Sequence, residues 1–170
     1  MFKKIFIYAP VAALMMACGS EPETTTTETP EPEPVIVLSP EEEIQNYLAE
    51  KGWEGVRHES GMYVVTDTVG TGDARPTLND DVTIFYQGYL LDGIRFDGTA
   101  EEPATFPLSQ LIQGWQIGIP LFGKGGSGKL IIPSDLAYGD EPNGDIPGGS
   151  TLMFEIELID WAPSAPQPGM

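Results

Sequence analysis

The chain has 170 residues, of which 41% are hydrophobic, and this size and composition favour one folded domain with appended segments. Its 26 acidic residues against 8 basic ones give a formal net charge of −18, which argues against a nucleic-acid partner because phosphate binding needs positive charge. A single cysteine, Cys18, excludes an internal disulfide and a cysteine-rich metal site.

Residues 1–17 have the pattern of a signal peptide, with a basic start followed by an apolar run too short to span a bilayer comfortably. The residues before Cys18 resemble the lipobox of bacterial lipoproteins, in which a small residue precedes an acylated cysteine, although Met15 departs from the usual leucine. We therefore predict a lipid-anchored, extracytoplasmic protein of the bacterial cell envelope. Ordinary secretory cleavage and an unprocessed buried thiol are the alternatives.

The segment after the cysteine repeats Glu, Thr and Pro, and residues 21–34 contain no apolar side chain. Such a segment cannot offset its ordering entropy by burial. Residues 18–38 are therefore predicted to form a disordered tether between the lipid anchor and the rest of the chain. An acidic interaction tail is the alternative.

A short helix is predicted next, within a helix-and-connection segment that covers residues 39–59. Ser39 suits the N-cap, Pro40 the first helical position and Glu42 the reciprocal capping-box position, while Gly52 is a typical stop. A helix this short is marginal alone, so we expect it to dock on the following domain through one apolar face. A dimerisation arm is the alternative. The residues of that face are Ile44, Tyr47 and Leu48.

From residue 60 the pattern changes to alternating apolar segments, which predict a folded domain over residues 60–161 and a flexible tail over residues 162–170. The alternation is typical of strands that are buried on one side. The predicted strands cover residues 62–68, 81–90, 94–97, 128–132 and 152–159.

The second predicted strand has a clear division into two faces. Tyr86 falls on the same face as Val82 and Ile84, so we expect its side chain to point inward. The pair Asp92-Gly93 that follows predicts a hairpin turn, because glycine readily adopts positive φ.

The domain contains one predicted helix, from residue 110 to about residue 122. Antiparallel strands with one short helix predict an α+β fold, in which the sheet buries its apolar face against that helix. Gly114 and Gly118 would let the helix approach the sheet closely, and Trp115 would fill the apolar space between them.

Five motifs follow one another in this domain. They are FYQGYLLDGIRFD at residues 85–97, LIQGW at 111–115, GKLIIP at 128–133, AYG at 137–139 with IP at 146–147, and LMFEIEL at 152–158. Their order resembles that of the FKBP-type peptidyl-prolyl cis-trans isomerases, over residues 60–161. Each motif alone is weak, whereas five in order are specific.

The resemblance implies an antiparallel half-β-barrel wrapped around one short α-helix, with an apolar cleft between them and Trp115 as its floor. It also implies that Asp97, Tyr86 and Tyr138 are the catalytic residues, and that the Ile112 backbone N–H binds a substrate carbonyl. The residues that would contact substrate are Phe96, Leu111, Ile112, Trp115, Ile146 and Phe154.

Two departures from the family pattern affect the rim of this cleft. Ala104 stands near the position where many relatives have an aromatic wall residue. The loop over residues 140–145 is shorter and more acidic than in many relatives. The resemblance therefore supports the reaction more strongly than it supports any inhibitor affinity.

The implied activity is peptidyl-prolyl isomerisation of proline-containing polypeptides, assisting the folding of exported proteins. Rotation about the Xaa-Pro bond makes and breaks no covalent bond, so no nucleophile, metal or cofactor is expected. An apolar cleft would favour the twisted, less dipolar amide by desolvation. We predict a monomer. A non-catalytic proline-binding or chaperone module and a purely structural tethered lipoprotein are the alternatives.

Overall fold

One antiparallel sheet and two α-helices make up the part of the chain that the computed structural model describes, residues 38–164. The predicted signal peptide, Cys18, nearly all of the predicted tether and the end of the predicted tail lie outside these residues. The helices are α1 (Pro40–Lys51) and α2 (Gln113–Gly118). The strands are β1 (Val56–Arg57), β2 (Tyr63–Thr68), β3 (Asp80–Leu90), β4 (Arg95–Gly98), β5 (Ala104–Pro107), β6 (Gly126–Ile132) and β7 (Leu152–Pro163).

The sheet has the strand order β1-β2-β6-β7-β3-β4, and β5 pairs with β3 beyond the end of β4. Its centre is the long antiparallel pair of β3 and β7, which runs from Asp80 opposite Pro163 to Leu90 opposite Leu152. The predicted α+β class, an antiparallel sheet with a short helix, is confirmed. β7 continues to Pro163, two residues into the predicted tail.

All five predicted strands are present, with ends that differ by a few residues. On β3, Val82 and Ile84 are fully buried, and Tyr86 packs against the same core, as the alternation predicts. The hairpin turn is also confirmed, because Gly93 has a φ of 91° and donates its N–H to the Leu90 carbonyl. β1 and β5 were not predicted, because two and four residues are too short to show alternation.

Helix α1 begins and ends where its capping residues predict. The Ser39 side chain accepts a hydrogen bond from the Glu42 N–H, the Glu42 carboxylate accepts one from the Ser39 N–H, and Gly52 is left-handed with a φ of 67°. Ile44 is fully buried, so the apolar face of α1 is covered by the same chain. The cluster that covers it is Tyr63, Val65, Ile131 and Met153, with Tyr47 and Leu48 from the helix itself.

The helix predicted over residues 110–122 is wrong in its extent, since α2 has only six residues. A 3₁₀ turn over Leu108–Gln110 precedes it, and Ile112 is extended with a ψ of 151°. A second 3₁₀ turn over Ile119–Leu121 follows it. The α-helix cannot continue through Pro120, which lacks the N–H that would bond to the preceding turn.

The two glycines of α2 allow the close approach to the sheet that the sequence predicts. A Cβ at Gly114 would lie 2.5 Å from the Ile132 side chain, and one at Gly118 would lie 2.5 Å from Leu130. Both distances are shorter than real Cβ contacts, so any larger residue at these positions would force the Ile132 or Leu130 side chain to move. Neither α1 nor α2, the helices of residues 38–164, is long and apolar enough to cross a membrane.

Candidate active site

A cleft of about 140 Å³ opens between α2, β3 and the loop that follows β6. Seven of the nine predicted pocket residues line it, and Phe106 is the eighth lining residue. The surface is mainly aromatic and aliphatic, and Asp97 is its only charged side chain. The lining residues are Tyr86, Asp97, Phe106, Leu111, Ile112, Trp115, Tyr138 and Phe154.

Trp115 supplies the floor of the cleft. Its side chain is held between Tyr86 and Phe154, whose ring centroids each lie 5.0 Å from that of Trp115 at an interplanar angle of 81°. The residue is only 4% exposed but still contributes to the cleft surface. Its Nε1–H is buried and has no acceptor among residues 38–164.

Tyr86 and Asp97 form a hydrogen-bonded pair at one side of the cleft, brought together because β3 and β4 are neighbouring strands. The Tyr86 hydroxyl donates to Asp97 Oδ2 at 2.9 Å, and the Gly98 N–H donates to Asp97 Oδ1 at 2.7 Å. Burial raises the pKa of Tyr86 to about 12, with further increases from the Asp97 hydrogen bond and charge. At neutral pH the hydroxyl therefore remains a donor, and both carboxylate oxygens are held in place.

Two further donors at the cleft have no acceptor within the described part of the chain. Tyr138 follows the 3₁₀ turn Ser134–Leu136, and its hydroxyl makes no hydrogen bond to residues 38–164. Burial raises the pKa of Tyr138, and the Asp97 charge adds to that increase. The Ile112 N–H precedes the first turn of α2 and is likewise unpaired within those residues. A bound carbonyl group would satisfy either donor.

Phe106 is the lining residue that the sequence analysis missed. It lies on β5, and its ring centroid is 6.2 Å from that of Tyr86 in an edge-to-face arrangement. Ala104, which stands near the position where many relatives have an aromatic wall residue, does not line the cleft, whereas Phe106, two positions later, does. β5 has only four residues, too few for the sequence to show alternation, and Phe106 reaches the cleft because β5 pairs with β3.

Two of the predicted substrate-binding residues, Phe96 and Ile146, are not among the residues that line the cleft. The Phe96 ring packs edge-to-face on Phe154 with centroids 5.6 Å apart, next to Gly88, where a Cβ would clash with both rings. Ile146 is 7% exposed and belongs to the same apolar core. The Phe96 ring fits at this position because Gly88 has no Cβ.

A larger depression of about 340 Å³ lies on the outer face of the sheet, but its chemistry is different. Its polar side chains include Lys129, Glu155 and Glu157. The Lys129 ammonium is already paired with Asp67 at 2.7 Å and lies over the Trp53 ring. No group of three or more potential metal ligands occurs in residues 38–164. The aromatic cleft, with its unpaired donors, is therefore the candidate active site.

One family model matches the part of the chain that contains the cleft. The family model described as FKBP-type peptidyl-prolyl cis-trans isomerase matches residues 72–159, a range that includes every residue lining the cleft. The chain is 43% identical to the FKBP-type peptidyl-prolyl cis-trans isomerase FkpA of Aeromonas hydrophila over 119 residues, which are 68% of this chain and 44% of that protein. It is 41% identical to FkpA of Escherichia coli strain K12 over 114 residues, 65% of this chain and 42% of the relative.

Solved structures give the same answer. The crystal structure of FkpA from Escherichia coli has a TM-score of 0.65 at 37% identity, over 71% of this chain and 58% of that one. A peptidyl-prolyl cis-trans isomerase from Pseudomonas syringae has a TM-score of 0.62 at 35% identity, over 69% and 90% of the two chains. This chain spans less than half the length of the FkpA sequences it matches. It belongs to the family of FKBP-type peptidyl-prolyl cis-trans isomerases.

Proposed function

We propose that this protein is a peptidyl-prolyl cis-trans isomerase that acts on proline-containing polypeptides, with the aromatic cleft as its active site. The feature that carries the proposal is the combination of an apolar floor, Trp115, with two donors that lack protein acceptors, the Tyr138 hydroxyl and the Ile112 N–H. A pyrrolidine ring is apolar and the amides around it offer carbonyl acceptors. The cleft therefore matches both parts of a prolyl segment.

The chemistry needs only preferential binding of the twisted amide. Resonance gives the planar peptide bond a rotational barrier of ~18–20 kcal/mol. Each ~1.4 kcal/mol removed from that barrier speeds rotation about tenfold. The planar amide is the more dipolar form, so transfer into an aromatic cleft favours the twisted form. In this mechanism the protein forms no covalent intermediate.

The polar groups of the cleft would hold and orient the substrate. Tyr138 and the Ile112 N–H would donate to substrate carbonyls and so fix the chain on either side of the rotating bond. Asp97 is held by Tyr86 and Gly98, so it presents a fixed negative charge beside the floor. That charge would disfavour the negative carbonyl oxygen of the planar amide, which also favours rotation.

The test is a protease-free isomerisation assay with an uncharged proline tetrapeptide and the soluble form that starts after Cys18. We expect acceleration by the wild-type protein and about a tenfold or greater loss of kcat/KM in Asp97→Ala, a loss typical for a positioned polar group. Asp92→Ala is the matched control, because Asp92 caps the Ile94 N–H in the same hairpin and does not line the cleft. It should keep wild-type activity.

Two other results would change the conclusion. Absence of acceleration at high protein concentration would refute catalysis, and peptide binding without turnover would establish the non-catalytic proline-binding or chaperone module. Equal activity of Asp97→Ala and Asp92→Ala, with both variants folded, would remove Asp97 from the catalytic set. Loss of activity in Trp115→Ala, with the fold retained, would support the indole as the floor.

We further propose that the protein is exported and held at a membrane of the cell envelope through a lipid on Cys18, with residues 18–38 as a tether and the isomerase domain as a monomer. The support is the sequence pattern before Cys18 and the absence of apolar residues in 21–34. Incorporation of a labelled fatty acid tests the anchor. Cys18→Ala should abolish labelling and release the protein from the membrane fraction, and unchanged labelling would exclude this attachment site.

A further inference from the structure

Helix α1 lies outside the residues that the family model matches, but it contacts the segment that leads to the cleft. The contact is a hydrogen bond in which Thr151 Oγ1 donates to Glu43 Oε2 at 2.8 Å, across 108 positions of sequence. Thr151 is only 4% exposed and directly precedes β7. A buried hydroxyl needs a partner, and here the first turn of the N-terminal helix supplies it.

Thr151 stands at the base of the loop that carries Tyr138. The Gly149 N–H donates to the Gly139 carbonyl at 2.9 Å, which joins the two arms of the loop beside Tyr138. Near the tip, Asn143 and Ile146 exchange two backbone hydrogen bonds of 3.0 Å each. The arms also touch at Gly148, where a Cβ would collide with the Asp140 carbonyl. The two arms of the loop are therefore joined to each other at three places between Gly139 and Gly149.

These contacts form a continuous connection from α1 to the cleft. Glu43 holds Thr151, which is two residues from Gly149, and Gly149 holds Gly139, the residue after Tyr138. We propose that Glu43 is a positioning residue of the isomerase, which acts through Thr151 to keep the Tyr138 hydroxyl at the cleft. This inference rests on the proposed function, since Tyr138 is assigned there as a substrate-binding donor.

Glu43 could instead have a structural role only, in which its hydrogen bond stabilises the packing of α1 on the sheet. Glu41 is the matched control for that alternative. Glu41 lies in the same turn of α1, and its carboxylate accepts hydrogen bonds from the Arg57 guanidinium at 3.1 and 3.4 Å and from the Tyr63 hydroxyl at 3.2 Å. It makes no hydrogen bond to the loop. Both acids tie α1 to the domain, but only Glu43 connects to Tyr138.

The experiment compares variants of the full chain in the prolyl isomerisation assay. Thr151→Val keeps the side-chain shape and removes the donor, while Glu43→Ala removes the acceptor. We expect about a fivefold fall in kcat/KM for each, the size of one lost hydrogen bond, carried by a higher KM at unchanged kcat. Thr151→Ser should restore activity, and Glu41→Ala should leave KM unchanged.

A double-mutant cycle with Tyr138→Phe tests whether Glu43 acts through that hydroxyl. Once the hydroxyl is gone, Thr151→Val should have no further effect on KM, so the two substitutions should be strongly non-additive. Additive effects would overturn the proposal. So would equal KM values in Glu41→Ala and Glu43→Ala, since both would then report only the docking of α1.

Amide hydrogen exchange gives a readout that does not depend on catalysis. In Thr151→Val the Gly149 N–H should exchange faster than in the wild type, while Glu41→Ala should leave its protection unchanged. Equal protection of the Gly149 N–H in all three proteins would overturn the positioning role. If the wild type fails to accelerate isomerisation, the proposed function is wrong, and the exchange rates still decide whether the hydrogen bond of Thr151 to Glu43 holds the loop.

Discussion

The two helices cover opposite faces of one sheet and leave those faces with opposite properties. On the outer face α1 packs on the sheet, and hydrogen bonds pair Tyr63 with Glu41 and Gln45 and pair Thr151 with Glu43. On the inner face α2 is too short to close the surface, and it leaves a cleft whose donors have no acceptor among residues 38–164. Paired polar groups stabilise a fold, whereas unpaired donors beside an apolar floor are suited to bind a ligand.

The largest expected effect tests whether the outer helix is integral to the fold. Ile44 is fully buried between α1 and the sheet, so Ile44→Ala should lower the free energy of unfolding by about 2–5 kcal/mol. Chemical denaturation of the wild type and the variant measures this difference. If Ile44→Ala lowered the free energy of unfolding no more than an exposed α1 substitution such as Asn46→Ala, then α1 would be dispensable for stability. That result would contradict its role as a packed part of the outer face.

A smaller effect is expected where α2 approaches the inner face. A Cβ added at Gly114 would press on Ile132, so Gly114→Ala should cost about 1–3 kcal/mol of stability through overpacking. The displaced helix carries Trp115, so isomerase activity should fall together with stability. Gly144→Ala is a control with open space around its Cβ and a position remote from α2, although its φ of 59° also carries backbone strain. Wild-type stability and activity in Gly114→Ala would contradict the close approach.

A still smaller loss of stability is expected from a substitution on the outer face that should leave activity unchanged. Tyr63→Phe removes the hydroxyl that bonds Gln45 and Glu41, and should lower the free energy of unfolding by about 0.5–1.5 kcal/mol. Activity should not change, because Tyr63 lies on the face opposite the cleft. Tyr138→Phe is the matched substitution at the cleft, where activity should fall with little change in stability. The reverse pattern in the two variants would contradict the division of roles.

The smallest effect is confined to alkaline pH. The pKa of Tyr86 is raised from 10.0 to about 12 by burial and by the Asp97 hydrogen bond, so the unfolded chain loses this proton first. The protonated Tyr86 hydroxyl therefore contributes fully to the free energy of unfolding below pH 10, and this contribution is lost as pH rises toward about 12. Denaturation across this range should show a steeper decline for the wild type than for Tyr86→Phe. Parallel declines would mean that Tyr86 titrates normally.

Most of the site could be predicted from the sequence because the motifs preserve both residue type and order. Tyr86, Asp97, Trp115 and Tyr138 are all brought to one cleft, although they are spread over more than fifty positions. Phe106 was not predicted because its role depends on the pairing of β5 with β3, a non-local contact. Phe96 is predicted to contact substrate, whereas its ring packs on Phe154, in space that is free because Gly88 has no Cβ.

The sequence by itself determined the features that depend on local interactions. These are the ends of α1, set by Ser39, Glu42 and Gly52, and the hairpin at Gly93, because caps and turns are formed by residues only a few positions apart. Tertiary structure decided the length of α2, the position of Phe106 in the cleft wall and the sheet face on which α1 lies. Those features depend on which distant surfaces pack together, and the apolar residues of a segment show that a face is buried without showing what buries it.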